Sequence, residues 1–268
     1  MTTAQTPVPA AARLLRRHAL AACWLVALTL GCTSSSPPPS SSLDPDTVRF
    51  LEQSTFGPTE ALAVQVKAQG FAAFLDQQFA APVSSLGTYP VVLQGPAQVC
   101  PAGSDAGCYR DNFTAFPPAV QFFRNALSGE DQLRQRVAFA LGQILVVSGD
   151  EVRTTYGMAD YEQLLMANAF GNFRQILEAV TLSPAMGRYL NMVNNDKPNP
   201  TAGTNPNENY ARELLQLFSI GLVQLRGDGT VVTDSGGEPV PTYDQDVVEG
   251  FAHVFTGWTY PTLPGATP

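Results

Sequence analysis

One stretch of the chain, residues 206–221 (PNENYARELLQLFSIG), places several polar side chains that could do chemistry just before an apolar run. Projected on a helix at about 100° per residue, its polar and apolar side chains separate onto two faces. The polar face consists of Asn209, Arg212, Glu213 and Gln216. A solvated surface is one interpretation. A buried polar network or ligand site is the other, because asparagine is a poor helix former for a wet face.

A second polar stripe lies within residues 242–258 (TYDQDVVEGFAHVFTGW). Asp246, Glu249 and His253 follow the spacing i, i+3 and i+7, which places all three on one side of a helix. Two carboxylates and an imidazole in that arrangement could hold a divalent cation or carry out acid–base chemistry. The alternative is a solvated stripe on an amphipathic helix.

Together the two segments predict one candidate site. Its catalytic residues would be Glu208, Glu213, Asp246 and His253. Its binding residues would be Asn207, Asn209, Arg212, Glu249, Thr256 and Trp258. The site could hold a divalent cation, although no particular metal is indicated. Catalysis would require the two helices to lie side by side, with these side chains turned toward each other around a pocket.

A capping pattern predicts where the first of these helices begins. Asn205 can cap a helix whose first residue is Pro206, because proline is favoured in the first turn. Glu208 then falls at the third helical position, where it can complete an asparagine version of the capping box. Glu208 and Arg212 are four residues apart, which is the spacing of a stabilising ion pair.

The histidine content narrows the chemistry that the chain can perform. The chain has two histidines, and only His253 lies after residue 32. Within those residues a zinc or iron site with several histidine ligands is therefore excluded, and a Ser-His-Asp triad would have to use His253. The chain also has no G-x-S-x-G motif, no P-loop and no G-x-G-x-x-G that opens a helix.

Residues 1–32 have the pattern of a lipoprotein-type signal peptide. Three arginines form a basic segment, and an uncharged apolar run over residues 19–31 follows it. That run is too short to span a bilayer, and it ends with a small residue before Cys32, which resembles a bacterial lipobox. We therefore expect lipidation of Cys32 and anchoring to the cell envelope, in the outer membrane. A secretory signal cut nearby, with Cys32 incidental, is the alternative.

Residues 33–43 (TSSSPPPSSSL) have almost no apolar side chains to bury. Tracts rich in serine and proline stay extended and solvated. We interpret this segment as a tether between the lipid anchor and a folded domain over residues 44–268. The membrane, reached through the anchor, and an envelope protein are the partners that this arrangement predicts.

The charge balance argues against nucleic acid as a partner. The chain carries 15 basic and 23 acidic residues. Three basic and no acidic residues lie in the signal, which leaves 12 basic against 23 acidic residues and a formal charge of −11. Such a surface repels phosphate backbones.

Two cysteines remain after Cys32, at Cys100 and Cys108 in a loop rich in glycine, proline and aspartate. In an exported protein such a pair usually forms a disulfide. A bridge across this short loop would stabilise the fold by roughly 2–3 kcal/mol. A metal-binding pair is the alternative, although no histidine lies nearby in the sequence.

Apolar residues recur at helical spacing through most of the chain after residue 43. Helical patterns cover residues 46–56, 59–79, 118–127, 132–147, 160–168 and 172–182, and another helix is predicted to start at Ser183-Pro184. Residues 80–117 are predicted to be a long connection, and residues 227–242 at most a short β-hairpin. The predicted fold class is mainly α, a single multi-helical domain with long loops.

Five segments, taken in order, carry a resemblance to a known family. They are RFLEQSTFGPT (49–59), GFAAFLDQQF (70–79), NAFGNFRQILEAVTLSPAMGRYL (168–190), PNENYARELLQLFSIG (206–221) and YDQDVVEGFAHVFTGW (243–258). They resemble domain of unknown function 1800, an uncharacterised bacterial family. The resemblance implies an exported, largely helical protein, often encoded beside a second family related to sulfatases and phosphatases. It implies no activity.

The resemblance also implies which positions to test, and where this chain differs. The positions are Asn207, Glu208, Asn209, Arg212, Glu213, Asp246, Thr256, Gly257 and Trp258. Gln216 replaces a second glutamate that the family usually has, which weakens an acid pair centred on Glu213. Residues 227–242 are an insertion between the last two motifs. The family domain usually continues beyond Trp258, so we expect this chain to hold the N-terminal portion of that domain as a truncated member.

Two classes of function compete. The first is a cell-envelope lipoprotein that binds a partner protein or a polymer, or that has a structural role in which Arg212 pairs with a carboxylate. The second is a hydrolase-like or metal-assisted enzyme whose carboxylate-rich site is shared by the two motif helices. The sequence favours the first class. Convergence of the polar side chains on one pocket would favour the second.

Overall fold

Thirteen α-helices account for most of the chain between Leu43 and Tyr260, the residues that this computed structural model describes. Within that range the β-structure consists only of isolated bridges. The prediction of a mainly α fold is confirmed. The helices are α1 (Pro45–Ser54), α2 (Glu60–Gln69), α3 (Phe71–Ala80), α4 (Pro96–Val99), α5 (Cys108–Phe113), α6 (Phe116–Ser128), α7 (Gln132–Ile144), α8 (Gly149–Val152), α9 (Thr155–Ala167), α10 (Phe173–Thr181), α11 (Pro184–Tyr189), α12 (Asn209–Gln216) and α13 (Gln245–Val254).

A single glycine divides the second and third helices. The Thr59 hydroxyl caps α2 by accepting the N–H of Leu62 at 3.2 Å. Residues 59–79, predicted as one helical stretch, are interrupted at Gly70, where φ is +86°. Glycine adopts that backbone conformation without the steric strain that a side chain would add. The apolar residues keep their helical spacing through Gly70, although one helix ends there and the next begins.

The long connection predicted over residues 80–117 contains two short helices, α4 and α5. Cys100 follows α4 and Cys108 begins α5, and the two form a disulfide with their Cα atoms 5.8 Å apart. The predicted disulfide is confirmed. Helices this short are not stable alone, so the covalent link helps to hold the connection in place.

Helix α9 is central to the packing and contacts α5, α6, α7, α8, α10 and α11. Its buried side chains, among them Met158 and Tyr161, cluster with apolar side chains of α10 and α11. The sequence pattern predicted this helix only from residue 160, but it begins at Thr155. The buried Thr155 hydroxyl donates to the Thr114 carbonyl at 2.7 Å, which fixes the start of α9 against the end of α5.

Three short extended segments lie between α12 and α13, within residues 222–242. Each is hydrogen-bonded to the other two. The N–H of Val232 donates to the Gln224 carbonyl, that of Val240 to Val232, and that of Gln224 to Val240, each at 2.9 Å. The extended segments therefore begin before residue 227, where the predicted excursion starts, and they pair their own backbone groups at the protein surface.

The described residues from Asp44 onward belong to one compact unit. No helix between Leu43 and Tyr260 is both long and apolar enough to cross a membrane. The predicted signal over residues 1–32, the lipidation site Cys32 and the tether up to residue 42 lie outside the described residues. Lipidation and tethering therefore stay predictions.

Candidate functional site

The helix of the first motif starts at a different residue from the one that the capping pattern predicted. Helix α12 begins at Asn209 with Glu208 as its N-cap, so the prediction that Asn205 caps a helix starting at Pro206 is wrong. The Asn207 side chain accepts the N–H of Asn209 at 2.9 Å and closes the turn before the helix. A tertiary contact explains the later start, because the N–H of Asn207 donates to a side chain outside the motif.

That side chain is Asn195, which joins the two family motifs. Its Oδ1 accepts the N–H of Asn207 at 2.7 Å, and its Nδ2 donates to the carbonyls of Asn207 at 3.3 Å and Phe255 at 3.4 Å. Its own carbonyl accepts the N–H of Gly257 at 2.9 Å. Gly257 has a φ of +82°, which a glycine tolerates best. Asn195 is 6 % exposed, so these bonds are shielded from competing water.

Two further asparagines extend this connection. The N–H of Asn194 donates to the Trp258 carbonyl at 2.7 Å, and the Asn194 side chain accepts from the Thr259 hydroxyl at 2.8 Å. The Asn209 amide donates to Asn191 Oδ1 at 3.0 Å. Asn191 and Asn194 both have left-handed backbone, with φ of 59° and 57°, a conformation that asparagine adopts more readily than most residues. The loop between α11 and α12 thus binds both motifs.

An open polar cavity of about 550 Å³, which we call the asparagine pocket, lies beside this loop. Asn207 brings the first motif to its wall, and Tyr260 follows the second motif. Arg188 donates to the Glu151 carbonyl at 2.6 Å and so holds part of the rim in place. The pocket is lined by Glu151, Arg188, Asn191, Val193, Asn194, Asn195, Asp196, Asn205, Asn207 and Tyr260. Its walls can donate and accept hydrogen bonds at many points.

A second polar arrangement, which we call the interhelical network, joins α12 to α13. Arg212 donates to Glu208 at 2.7 Å, as the four-residue spacing predicted. Gln245 donates to Glu208 at 3.0 Å and to Glu249 at 3.3 Å, and Arg212 donates to Gln245 at 3.2 Å. Below it Ala211 and Val248 pack with neighbouring apolar side chains. The motif helices therefore lie side by side, and this network occupies much of their polar surface.

The remaining predicted catalytic residues are not drawn into this network. Asp246 and His253 are exposed, and the His253 ring Nδ1 lies 2.8 Å from the Glu249 carbonyl. Glu213 is half-buried, and its Oε2 is shielded from solvent without a hydrogen-bond partner. Between Leu43 and Tyr260 no hydrogen bond or ion pair joins Glu213 to Asp246 or His253. Over the same residues no three histidine, cysteine, aspartate or glutamate side chains form a group that could hold a metal ion.

The last predicted binding residues close α13 and contribute mainly through the backbone. The Thr256 hydroxyl donates to the His253 carbonyl at 2.9 Å and terminates the helix. Trp258 is 46 % exposed, so its ring is not a core side chain, and its carbonyl carries the contact to Asn194.

One acidic residue near the centre of the helix packing was not among the site residues predicted from the sequence. Glu162 of α9 lines an apolar cavity of about 310 Å³ that is separate from both motifs. Burial raises the pKa of its carboxyl group to about 7. A helical projection could have found it, because Met158, Glu162, Leu165 and Met166 share one face of α9. An acid within an otherwise apolar stripe is a departure from the usual pattern.

Comparison with known proteins identifies the family without adding a function. A family model described as a protein of unknown function, DUF1800, matches residues 49–267. That range includes both motifs, the asparagine pocket and the Glu162 cavity. Neither a curated protein nor a solved structure matches the chain significantly. The resemblance carried by the five segments is therefore confirmed, and the chain belongs to the DUF1800 family.

Proposed function

We propose that this protein is an exported, lipid-anchored protein of the bacterial cell envelope that binds a polar, uncharged ligand of the carbohydrate class. The asparagine pocket is the proposed binding site. One observation carries the proposal: Asn195 joins both family motifs at the wall of this pocket, so the polar loop that lines the pocket is held in place by the motifs. The function is binding rather than catalysis, and it needs no ionisable group with altered acidity.

The chemistry of the pocket supports a ligand rich in hydroxyl groups. Five of its ten described lining residues are asparagines. Asn195 is fully bonded within the protein, but the side-chain nitrogens of Asn191, Asn194 and Asn207 make no hydrogen bond to another described residue, and neither does the amide of Asn205. These groups can donate to hydroxyls of a ligand, and the Asn205 amide can also accept from them. Tyr260 offers an aromatic ring on which the apolar face of a sugar could lie. Arg188 stands beside Glu151 and Asp196, so charges of both signs are present and neither sign of ligand is strongly favoured.

Export to the envelope is supported by the N-terminal pattern and by the disulfide. The basic segment, the apolar run and the small residue before Cys32 match a lipoprotein signal. The Cys100–Cys108 bridge fits an oxidising compartment outside the cytoplasm. The Ser/Pro tract over residues 33–43 would then tether the binding domain to the membrane. A carbohydrate polymer of the envelope would lie within reach of such a domain.

Calorimetric titration of the purified complete chain tests the ligand class. Chitotetraose, cellotetraose and maltotetraose are the probes, and we expect at least one of them to bind. Asn205→Ala should weaken that binding about fivefold, because one neutral hydrogen bond is worth about 1 kcal/mol. Asn205 lines the pocket and makes no hydrogen bond to another described residue, so its substitution should leave folding unchanged.

The control is Gln175→Ala, an exposed amide on α10 away from the pocket. It should bind the probe as the unsubstituted chain does. Failure of all three probes to bind at millimolar concentration, or equal affinity in the Asn205→Ala variant, would overturn the carbohydrate assignment. A Cys32→Ala variant tests the anchor separately, because loss of lipidation should move the protein from the membrane fraction to the soluble fraction.

The alternative, a hydrolase-like or metal-assisted enzyme using Glu208, Glu213, Asp246 and His253, stays a prediction. Glu208 is engaged by Arg212 and Gln245. No hydrogen bond or ion pair between described residues joins the other three. The binding proposal needs no such convergence, which is why we prefer it.

A further inference from the structure

A second cavity, distinct from the asparagine pocket, lies among α6, α7 and α9. Its volume is about 310 Å³, which accommodates a ligand of roughly ten to fifteen heavy atoms. Most of its lining is apolar or aromatic, including Phe122, Phe139 and Met158. The rings of Phe122 and Phe139 stack with centroids 5.8 Å apart, so this part of the wall is held in place by its own packing.

Among the described residues, Glu162 is the only charged one that lines this cavity. Among the residues that the structure describes, its carboxyl group has no hydrogen bond and no ion pair. Burial against apolar neighbours raises its pKa to about 7, well above the usual value of 4.5. A carboxylate in such a place is costly unless a partner satisfies it. The cavity therefore presents an apolar surface with one carboxyl group to which no other described residue is hydrogen-bonded.

The other polar side chains of the cavity are not hydrogen-bonded to this carboxyl group. Gln135 donates its amide to the buried Asp131. The Tyr161 hydroxyl donates to the Leu145 carbonyl. Gln143 is exposed and makes no hydrogen bond within the described residues. A second group that could exchange protons with Glu162 on a substrate is not present in the lining, so binding is a better match to this cavity than acid–base catalysis.

A protonated amine attached to an apolar group satisfies both features of the cavity. Its ammonium would form a charge-assisted hydrogen bond with the Glu162 carboxylate, which is stronger than a neutral one. Its apolar body would lie against the Phe122 and Phe139 rings, which also attract a nearby cation through their faces. An anionic ligand would be repelled by the carboxylate, and a neutral apolar ligand would leave it without a partner.

We propose that the cavity among α6, α7 and α9 is a binding site for a small hydrophobic amine, with Glu162 as the residue that recognises the cationic head. This site is independent of the asparagine pocket, because the two cavities share no lining residue. The proposal therefore stands or fails separately from the carbohydrate assignment.

A matched pair of probes tests the proposal on the purified complete chain. The probes are 4-phenylbutylamine and 4-phenylbutan-1-ol, which have similar size and differ in charge. We expect the amine to bind at least tenfold more tightly than the alcohol at pH 8, where Glu162 is ionised. Glu162→Gln should weaken amine binding about tenfold to hundredfold and leave alcohol binding nearly unchanged, because it removes the charge and keeps the shape.

Two further variants separate recognition from folding. Glu178→Gln removes an exposed acid on α10 and should bind the amine as the unsubstituted chain does. Gly142→Leu puts a side chain into the cavity wall, where a Cβ would lie 3.7 Å from Leu165, and should weaken both probes. Equal affinity for amine and alcohol, unchanged amine binding in Glu162→Gln, or no binding of either probe at millimolar concentration would overturn the proposal.

Discussion

The two cavities of this protein differ in how their polar groups are satisfied. Around the asparagine pocket, Asn195 uses both its side-chain oxygen and its side-chain nitrogen, and neighbouring asparagines are bonded in turn. In the cavity among α6, α7 and α9, Glu162 has no such partner in the described part of the chain. The first region adjoins the two polar motifs, of which Asn207 lies in its lining, and the second contains no residue of either motif.

This difference shows that a group with an altered pKa need not lie in the segments that are richest in polar residues. Much of the polarity in the two motifs is used to hold backbone and helices together. A group with altered acidity arises where an isolated acid falls on a buried helix face. A search for function by motif alone would therefore reach the asparagine pocket only through Asn207 and would overlook Glu162.

The largest effect should come from removing the residue that connects the motifs. Asn195→Ala deletes three side-chain hydrogen bonds and leaves partly buried backbone groups of Asn207 and Phe255 without these partners. We expect a loss of about 3 kcal/mol in the free energy of unfolding, measured by urea denaturation. Asn205→Ala in the same pocket should change it by less than about 0.5 kcal/mol. Similar values for the two variants would mean that Asn195 has no special role.

Substitution of Glu162 should stabilise the fold, whereas substitution of Asn195 destabilises it, because the ionised form of Glu162 opposes folding. The pKa is raised from 4.5 to about 7, so the folded state holds the proton more tightly than the unfolded state. The penalty is absent below about pH 4, grows as the pH rises through 7, and is fully present above that. Tyr161 is the only other titratable residue in the lining, and burial raises its pKa further above neutrality.

Glu162→Gln, which cannot ionise, should therefore be more stable than the unsubstituted chain by up to about 3 kcal/mol at pH 8 and equal to it at pH 4. The measurement is urea denaturation at both pH values, with Glu178→Gln as the control. A variant that is less stable at pH 8 would show that the Glu162 carboxylate has a favourable partner, and the contrast between the two cavities would be lost.

A smaller stabilisation is expected from Gly142→Ala, on the wall of the same cavity. Gly142 lies within α7, where alanine is preferred to glycine by about 0.5–1 kcal/mol. The added Cβ would meet Leu165 at 3.7 Å, an ordinary contact distance. Thermal denaturation should show a melting temperature a few degrees higher. A lower melting temperature would indicate that the cavity has too little space for the added methyl group, despite its volume.

The smallest effect should come from the interhelical network, whose members are partly exposed. Arg212→Gln removes the ion pair with Glu208 and should cost about 0.5 kcal/mol at low salt. The difference should shrink in 1 M salt, where charges are screened within about 3 Å. Arg174→Gln on α10 is the matched control. A loss of several kcal/mol would show that the network is a core feature.

Features set by neighbours in the sequence were predictable. The Glu208–Arg212 pair depends only on four-residue spacing, and the Cys100–Cys108 bridge on a short loop between two cysteines. The helix start at Pro184 was also predicted, and the structure places it there. In each case the interacting groups are less than one short loop apart, so local geometry decides the outcome.

Features set by distant contacts were not predictable. Asn195 lies 12 residues from Asn207 and 60 from Phe255, and nothing in its own surroundings marks it as the connection between them. The predicted cap at Asn205 was wrong for the same reason, because the Asn195 contact keeps the backbone out of the helix until Asn209. Helix periodicity describes which face a residue occupies, but it does not identify the partner that will meet that face.

By itself, the amino-acid sequence determined the helical class of the described chain, its family, its cystine and the ion pair within α12, because each depends on periodicity, spacing or ordered motifs. Only the tertiary structure decided which polar side chains are hydrogen-bonded within the fold and which remain available to bind a ligand. Burial and hydrogen bonding are properties of the groups that surround a side chain, and those groups come from distant parts of the chain. That is why Asn195 is satisfied and Glu162 is not.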